Sequence, residues 1–358
     1  MKFIHCADLH LDSKIENIST EKSKKRRDEI LSTFERLADF ATERQVTAII
    51  IAGDMFDTAR VTEKTKNRVI SAINRNSTVD FLYLYGNHDE DNFISSLEQI
   101  PSNLKIFGDS WTAFNYGEVT ISGIRFTPIN LKTVYDSLNL SQKQVNIAVM
   151  HGQIAGYKSQ MDAEIISLPK LRDKNIDYLA LGHIHGYATG EIDLRGKYAY
   201  SGCLDGRGFD ETGEKGFVLI DVENGKLSTE FTPFSSRDIF TVEMSVEDKQ
   251  SWYTAQGEFI EELKSKYSKT SLIKVVLKGG RKADFEIDLQ NFTDKLNEHF
   301  FFAKVYDKTE LKIDENDFAY DKSVRGEFVR AVLASNLTDE EKKQIILVGL
   351  NALKGEDL

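Results

Sequence analysis

Residues 47–57 read TAIIIAGDMFD, and the architecture follows from how that stretch divides. Its first part, TAIIIA at 47–52, is a continuous apolar run of strand length, the composition of a strand covered on both faces. Its second part, Gly53-Asp54-Met55-Phe56-Asp57, sets two carboxylates directly behind that strand. The glycine beside them lets the backbone turn sharply. A buried strand ending in acids is the layout of an α/β sheet, where sites form beyond the carboxyl ends of strands.

Working outward, residues 2–7 are a short strand with a turn behind it. Ile30, Phe34, Leu37, Ala38 and Ala41 recur at helical spacing, which predicts a helix from about 21 to 43 with one buried face. A second helix is expected over 61–74 and a strand over 80–85. Further buried strands are expected at 145–150, 176–181, 197–201 and 217–222, and a hairpin pair at 119–126 turning at Ser122-Gly123. This alternation predicts a layered α/β fold of two packed β-sheets flanked by helices. The pattern changes near Ser235-Ser236-Arg237-Asp238. Beyond it come a strand (240–244), a helix (254–266), a strand (271–278), a Gly279-Gly280 turn, a helix (288–299) and a strand (302–306). Two closing helices are expected at 324–335 and 340–353, the second opened by the capping box Thr338-Asp-Glu-Glu341. The expected domains are therefore 1–235, a small α/β domain at 236–321, and C-terminal helices at 322–358.

A chain of 358 residues exceeds the comfortable size of one core, in keeping with more than one domain. Its 41% apolar and 29% charged residues are ordinary for a soluble protein. No run approaches the roughly 18 apolar residues of a membrane span, and the N-terminus lacks a signal-peptide layout. A cytoplasmic protein with no membrane partner is the expectation. Cys6 and Cys203 are then buried free thiols rather than a disulfide. The net charge of −11 argues against nucleic acid as a partner, since such proteins usually carry a basic face. Cations bound among the acids would reverse that sign locally.

Five of the seven histidines, His10, His88, His151, His183 and His185, fall just past a predicted strand. With them come Asp8, Asp54, Asp57, Asn87 and Asp89, in the clusters DLH, GDMFD, GNHD, HG and GHIH. Carboxylate, imidazole and amide oxygen without thiolate suit borderline divalent metals such as Mn²⁺, Fe²⁺ or Zn²⁺. Asp54 is the natural bridge, because its two oxygens can hold two cations that clamp an in-line displacement. His88 is better placed to donate to a phosphate oxygen or leaving group, with Asp57 orienting its ring. His5 and His299 read as ordinary structural histidines. Each cluster alone could be a turn or helix cap; five in this order, each at a strand end, are not coincidence.

The set resembles the complete motif series of the calcineurin-like metallophosphoesterases, over the N-terminal two-thirds of the chain. That resemblance implies Asp8, His10, Asp54 and His185 around one metal, and Asp54, Asn87, His151 and His183 around the other, with manganese the expected ion. It makes His88 the transition-state histidine. The stretches HCADLHLD (5–12), IIAGDMFDT (50–58), YLALGHIHG (178–186) and YSGCLDGRGFDETGEKGF (200–217) are similar to the SbcD/YhaO-type DNA double-strand-break repair exonucleases. The resemblance then implies a DNA nuclease of repair or recombination, a C-terminal capping domain for DNA, a homodimer and an SbcC-like ATPase partner.

The rival reading is a phosphatase or small-molecule phosphodiesterase built on the same metal core. Protein phosphatases of this fold carry a GDxVDRG-like motif and GNHE, whereas here Asp57 is followed by Thr58-Ala59-Arg60 and His88 by Asp89. A scaffold with a degenerate site is disfavoured, because every ligand position holds a competent side chain. Candidate DNA contacts are Arg207 near the site and the basic residues Lys278, Arg281 and Lys282 flanking the Gly279-Gly280 turn.

Overall fold

In the computed structural model the run behind Val46 forms a strand, Ala48–Ala52, buried at every position. The structure describes all residues except 14, 16–17, 58–60, 90–91, 156–164, 283–284, 313–317 and 355–358. The described chain falls into two units, Met1–Ile239 and Phe240–Leu358. The Thr58–Ala59–Arg60 stretch that separates the motif from the phosphatase pattern lies outside the described residues.

The first unit runs β1 (Lys2–Cys6), α1 (Thr20–Glu43), β2 (Ala48–Ala52), α2 (Glu63–Arg75), β3 (Asp80–Leu84), α3 (Asn92–Ser95), β4 (Leu104–Ile106), β5 (Thr112–Tyr116) and β6 (Val119–Gly123). It continues with β7 (Val145–His151), β8 (Gln153–Ile154), β9 (Ile165–Ile166), α4 (Leu168–Leu171), β10 (Tyr178–Gly182), β11 (Ala188–Glu191), β12 (Lys197–Tyr200), β13 (Gly216–Glu223) and β14 (Lys226–Pro233). Two six-stranded sheets result, ordered β14-β13-β1-β2-β3-β4 and β11-β12-β10-β7-β6-β5. The strands carrying the motifs are parallel neighbours: β1 with β2, β2 with β3, and β7 with β10. Their carboxyl ends therefore emerge together.

Period-two alternation sorts the apolar side chains into layers. Phe3, Ile50 and Leu82 of the first sheet meet Ile121, Ile147 and Tyr178 of the second in a core between the sheets. The other face of the first sheet, with Ile49 and Phe81, packs under Ile30, Phe34 and Leu37 of α1 and Val69 and Ile73 of α2. The outer face of the second sheet, with Met150 and Leu181, is covered by Val134, Leu138 and Leu171. Both sheets are covered on both faces, so their central strands read as unbroken apolar runs.

One expectation is corrected. Residues 119–126 do not form a hairpin at Ser122-Gly123; β6 is a single strand paired antiparallel with β5. The turn lies earlier, at Gly117, whose φ of +55° favours glycine. Gly123 serves packing instead, since a Cβ there would sit 2.5 Å from the ring of Phe107.

The second unit contains β15 (Ile239–Ser245), α5 (Trp252–Lys266), β16 (Leu272–Lys278), β17 (Gly280–Arg281), α6 (Leu289–His299), β18 (Phe302–Asp307), β19 (Glu310–Leu311), α7 (Val324–Leu333) and α8 (Asp339–Lys354). A three-stranded sheet β15-β16-β18 buries Ile273 and Val275 against Phe259, Phe292 and Leu296 of the helices. Phe318, Val329, Ile346 and Leu350 form a smaller cluster at α7 and α8. The capping box is reciprocal: Glu341 N–H donates to Thr338 Oγ1 at 3.4 Å, and Thr338 N–H to Glu341 Oε2 at 2.9 Å. Among the described residues no helix is long and apolar enough to cross a membrane.

Candidate metal centre

Every motif of the first unit reaches one place. The loops behind β1 and β2 run side by side, with Asp8 N–H donating to Gly53 O, His10 N–H to Asp54 O and Leu11 N–H to Met55 O at 2.9–3.0 Å. This ladder holds Asp8, His10 and Asp54 at φ of +52°, +43° and +53°, and His183 is held at +102°. Left-handed backbone at non-glycine residues costs on the order of 1–3 kcal/mol each and persists only where surrounding structure enforces it. Buried Asp89 supplies part of that enforcement. Its carboxylate accepts from the N–H groups of Met55 (3.2 Å), Phe56 (2.9 Å) and Gly86 (2.9 Å), tying the β2 and β3 loops together.

The side chains then form two adjoining groups, Asp8/His10/His185 and Asp8/Asp54/His151. Asp54 Oδ2 lies 3.3 Å from His151 Nε2 and 3.9 Å from His10 Nε2, so it reaches both. Asn87 Oδ1 is 2.9 Å from His151 Nε2 and 3.2 Å from His183 Nδ1. His183 also donates its backbone N–H to Asp8 Oδ1 at 2.8 Å. Asp8, His10, Asp54, Asn87, His151, His183 and His185 thus converge.

The ring partners decide which atoms face inward. His151 Nδ1 lies 2.8 Å from the Ala52 carbonyl and His185 Nδ1 2.7 Å from Glu211 Oε1, so each of these nitrogens carries the proton. His10 Nδ1 sits 3.2 Å from Asp57 Oδ1 in the same sense. The remaining nitrogens present lone pairs inward. His10 Nε2 and His185 Nε2 stand 3.1 Å apart, and His151 Nε2 faces the oxygens of Asn87 and Asp54. Lone pairs converging without a donor repel unless a proton or cation lies among them. The electrostatics agree: burial alone would lower the His151 pKa, but the Asp54 and Asp8 carboxylates outweigh it and push it up to about 9. Burial would raise Asp54, yet His151 and His10 hold it well below the usual carboxylate range. The residues fit divalent cations.

His88 differs from the converging set. It is about half exposed, its backbone N–H donates to Asp54 Oδ1 at 2.9 Å, and its Nδ1 lies 3.3 Å from Asp57 Oδ1. Asp57 therefore stands between His88 and His10 rather than serving His88 alone. Burial would raise its pKa, but the contacts to His10, Ser13 and Arg207 bring it down to about 2.

Arg207 lies at the site, as expected, but its guanidinium is engaged by protein groups. Nη2 and Nε donate to Glu211 Oε1 at 2.7 and 2.9 Å, and Nη1 donates to Asp57 Oδ2 at 3.2 Å. Glu211 was not singled out from the sequence. Inside the 200–217 stretch it looks like any loop acid, and only the fold carries it to His185. Its carboxyl is held well below the usual range, because His185 and Arg207 outweigh its burial. The loop itself is anchored by Asp205, which receives buried Arg26 of α1 and accepts from Thr33 Oγ1 at 2.7 Å.

His5 is buried, with Nδ1 2.8 Å from the Tyr178 hydroxyl, and His299 stacks edge-on against Phe300. Both cysteines are buried and free. In the second unit, Lys278 pairs with Glu243, while Arg281 donates to Thr309 Oγ1 at 3.0 Å and to Phe285 O at 3.2 Å.

Comparison with known proteins agrees with this geometry. Chain residues 1–187 match the family model described as calcineurin-like phosphoesterase. The uncharacterized metallophosphoesterase YhaO of Bacillus subtilis is 26% identical over 303 residues, covering 78% of this chain and 72% of YhaO. The DNA double-strand break repair protein Mre11 of Methanopyrus kandleri is 27% identical over 310 residues, covering 78% of this chain and 65% of that protein. Mre11 of Saccharolobus solfataricus is 25% identical over 387 aligned positions, covering 100% of this chain and 96% of its own. The chain belongs to the calcineurin-like phosphoesterase family, hydrolases of phosphoester bonds.

Proposed function

We propose that this chain is a manganese-dependent DNA nuclease that cuts phosphodiester bonds in repair or recombination. The observation carrying phosphoester cleavage is the convergence of four histidine rings, two carboxylates and the Asn87 amide oxygen on one place, in two adjoining groups that share Asp8. The DNA part draws support from relatives named as Mre11 over most or all of the chain. Asp8, His10, Asp54 and His185 would hold one cation, and Asp54, Asn87, His151 and His183 the second. Divalent cations bound there supply Lewis acidity toward a phosphoryl oxygen and lower the pKa of water.

The chain's own groups do the rest. The Ala52 carbonyl and Glu211 keep the lone pairs of His151 and His185 turned inward. His88, about half exposed while Asp8, His10, Asp54 and His151 are buried, can reach substrate and donates a proton or hydrogen bond to the phosphate or leaving oxygen, with Asp57 fixing its ring. Lys278, Arg281 and Lys282 of the second unit contact the DNA backbone, that unit acting as a cap. A homodimer and an SbcC-like ATPase partner complete the assembly.

The test is Mn²⁺-dependent cleavage of linear duplex DNA, of small phosphodiesters and of phosphomonoesters by the full chain. Asp54→Asn should abolish most activity and lower the metal stoichiometry. His88→Gln should cost about 10²–10⁴ in rate with both metals retained. Full activity of Asp54→Asn would overturn the metal assignment, and no cleavage of DNA beside rapid turnover of phosphomonoesters would overturn the substrate.

A further inference from the structure

A cleft of about 200 Å³ opens beside the metal centre, lined by Tyr85, Arg125 and Phe126 together with Asn87 and His151. Tyr85 directly follows β3 of the first sheet, and Arg125 lies just past β6 of the second. The Arg125 guanidinium carbon sits 4.8 Å over the Tyr85 ring centre. The backbone presenting it is held from both sides. Arg125 N–H donates to Gly108 O at 2.9 Å, and Asn130 Nδ2 donates to Arg125 O at 2.7 Å. Phe126 packs on the outer core. None of these three side chains belongs to the converging ligand set.

A phosphate alone offers oxygen and charge, and gains nothing from a tyrosine face. The Tyr85 ring is packed by Arg125 and, at 4.8 Å between ring centres, by Tyr83, so what the pair offers beside the cleaving atoms is the guanidinium plane braced on Tyr85, a flat, polarizable surface that suits an aromatic ring. Bases splayed from a nucleic acid stack on such aromatic and arginine planes. Size narrows the ligand further. The cleft is smaller than the roughly 300–1,000 Å³ that encloses a drug-sized molecule, so it takes one ring system and leaves the rest of the strand outside. The bland alternative is a surface cation–π pair that only braces the 124–130 loop. Such a pair accounts for the stacking but not for its place against Asn87 and His151.

We propose that Tyr85 and Arg125 form a nucleoside subsite that stacks the base of the nucleotide adjoining the scissile phosphate. This rests on the phosphodiesterase reading above and adds what flanks the cut bond. The experiment compares kcat/KM, with Mn²⁺ and the full chain, for the 5′- and 3′-(4-nitrophenyl phosphate) esters of thymidine and for methyl 4-nitrophenyl phosphate. All three share a leaving group and differ in the other arm. The protein should prefer at least one thymidine ester over the methyl ester. Tyr85→Leu, and Arg125→Lys, which keeps the charge but loses the plane, should each shrink that preference about 5- to 150-fold, the range of one base stack. Tyr85→Phe should retain it. Absence of any preference in the unmodified protein would overturn the subsite, as would parallel losses on all three esters in Tyr85→Leu. A preference surviving Arg125→Lys undiminished would show that the guanidinium plane does not hold the base and would also overturn it. Failure to turn over any of the three would instead bring down the phosphodiesterase reading, and the subsite with it.

Discussion

Arg207 illustrates how much one residue's role depends on its neighbours. By sequence it is a cation in a polar loop, open to a DNA phosphate. In the fold its side chain spans Glu211 and Asp57, the carboxylates that face His185 and His10. Partners of ligating histidines are typically worth 10–100-fold in metal affinity or activity. Arg207→Ala is therefore expected to lower turnover of a small diester and of DNA by a similar factor of about 10–100, and Glu211→Gln to weaken metal binding. Parallel kinetics on the two substrates, with a metal titration, check this; a loss confined to DNA would return Arg207 to the phosphate-contact role. His5 gives a pH prediction of opposite character. Burial brings its pKa from 6.5 to about 3, so the folded chain keeps it neutral. Below pH 6.5 the unfolded chain takes up a proton that the folded chain refuses until about pH 3. Stability then falls on acidification across that window, by up to about 1.4 kcal/mol per pH unit. His5→Gln, which does not titrate, should flatten that limb in urea melts, and an unchanged slope would assign the acid loss to other groups.

At the level of elements, the site is built from strand ends that stop abruptly and loops that cannot relax. A Cβ on Gly86 would sit 2.1 Å from Asp54 Oδ1, and one on Gly53, already at φ +94°, 2.1 Å from His151 Nδ1. These glycines let the β2 and β3 loops close onto ligand side chains. Gly86→Ala should displace Asp54 and, since misplacement of about 1 Å costs on the order of 10²-fold, reduce rate by about that much. Gly186, beside His185 but with open space at its Cβ position, is the control. Calorimetric metal binding and kcat for the two alanine variants test the claim. Equal, small effects at both positions would show that the close approach at Gly86 is not required.

The whole molecule combines a net charge of −11 with a proposed polyanionic substrate. The converging acids account for part of that charge. In the second unit Lys278, Lys264 and Lys266 each pair with a glutamate on exposed surface. Exposed pairs contribute about 0–1 kcal/mol, so a DNA phosphate can displace such a partner at little cost. Lys278→Ala/Arg281→Ala/Lys282→Ala in the full chain should weaken DNA binding and flatten its salt dependence, by about 0.9 in log–log slope per lost phosphate contact. Binding isotherms at several salt concentrations decide it, an unaltered slope ruling out this surface.

What the sequence determined by itself was local or periodic. The apolar runs at 47–52 and 145–150 are strands because each is buried on both faces. The helical spacing of Ile30, Phe34, Leu37 and Ala41 is α1, and each ligand cluster stands at a strand end because parallel α/β sheets place loops there. Residues whose meaning is non-local stayed hidden. Ser122-Gly123 looked like a turn, because nothing in the local sequence shows that Phe107 fills the space a side chain would need. Glu211 looked like an ordinary acid until the fold set it against His185, and Asp89, grouped by sequence with the strand-end clusters, proves to sit under the N–H groups of Met55, Phe56 and Gly86. Periodicity and motif spacing report what a residue does within its own element. Which carboxylate meets which histidine from a distant strand is decided only when strands pair and the two sheets pack, because pairing aligns the ends of β1, β2 and β3 and packing brings those of β7 and β10 against them.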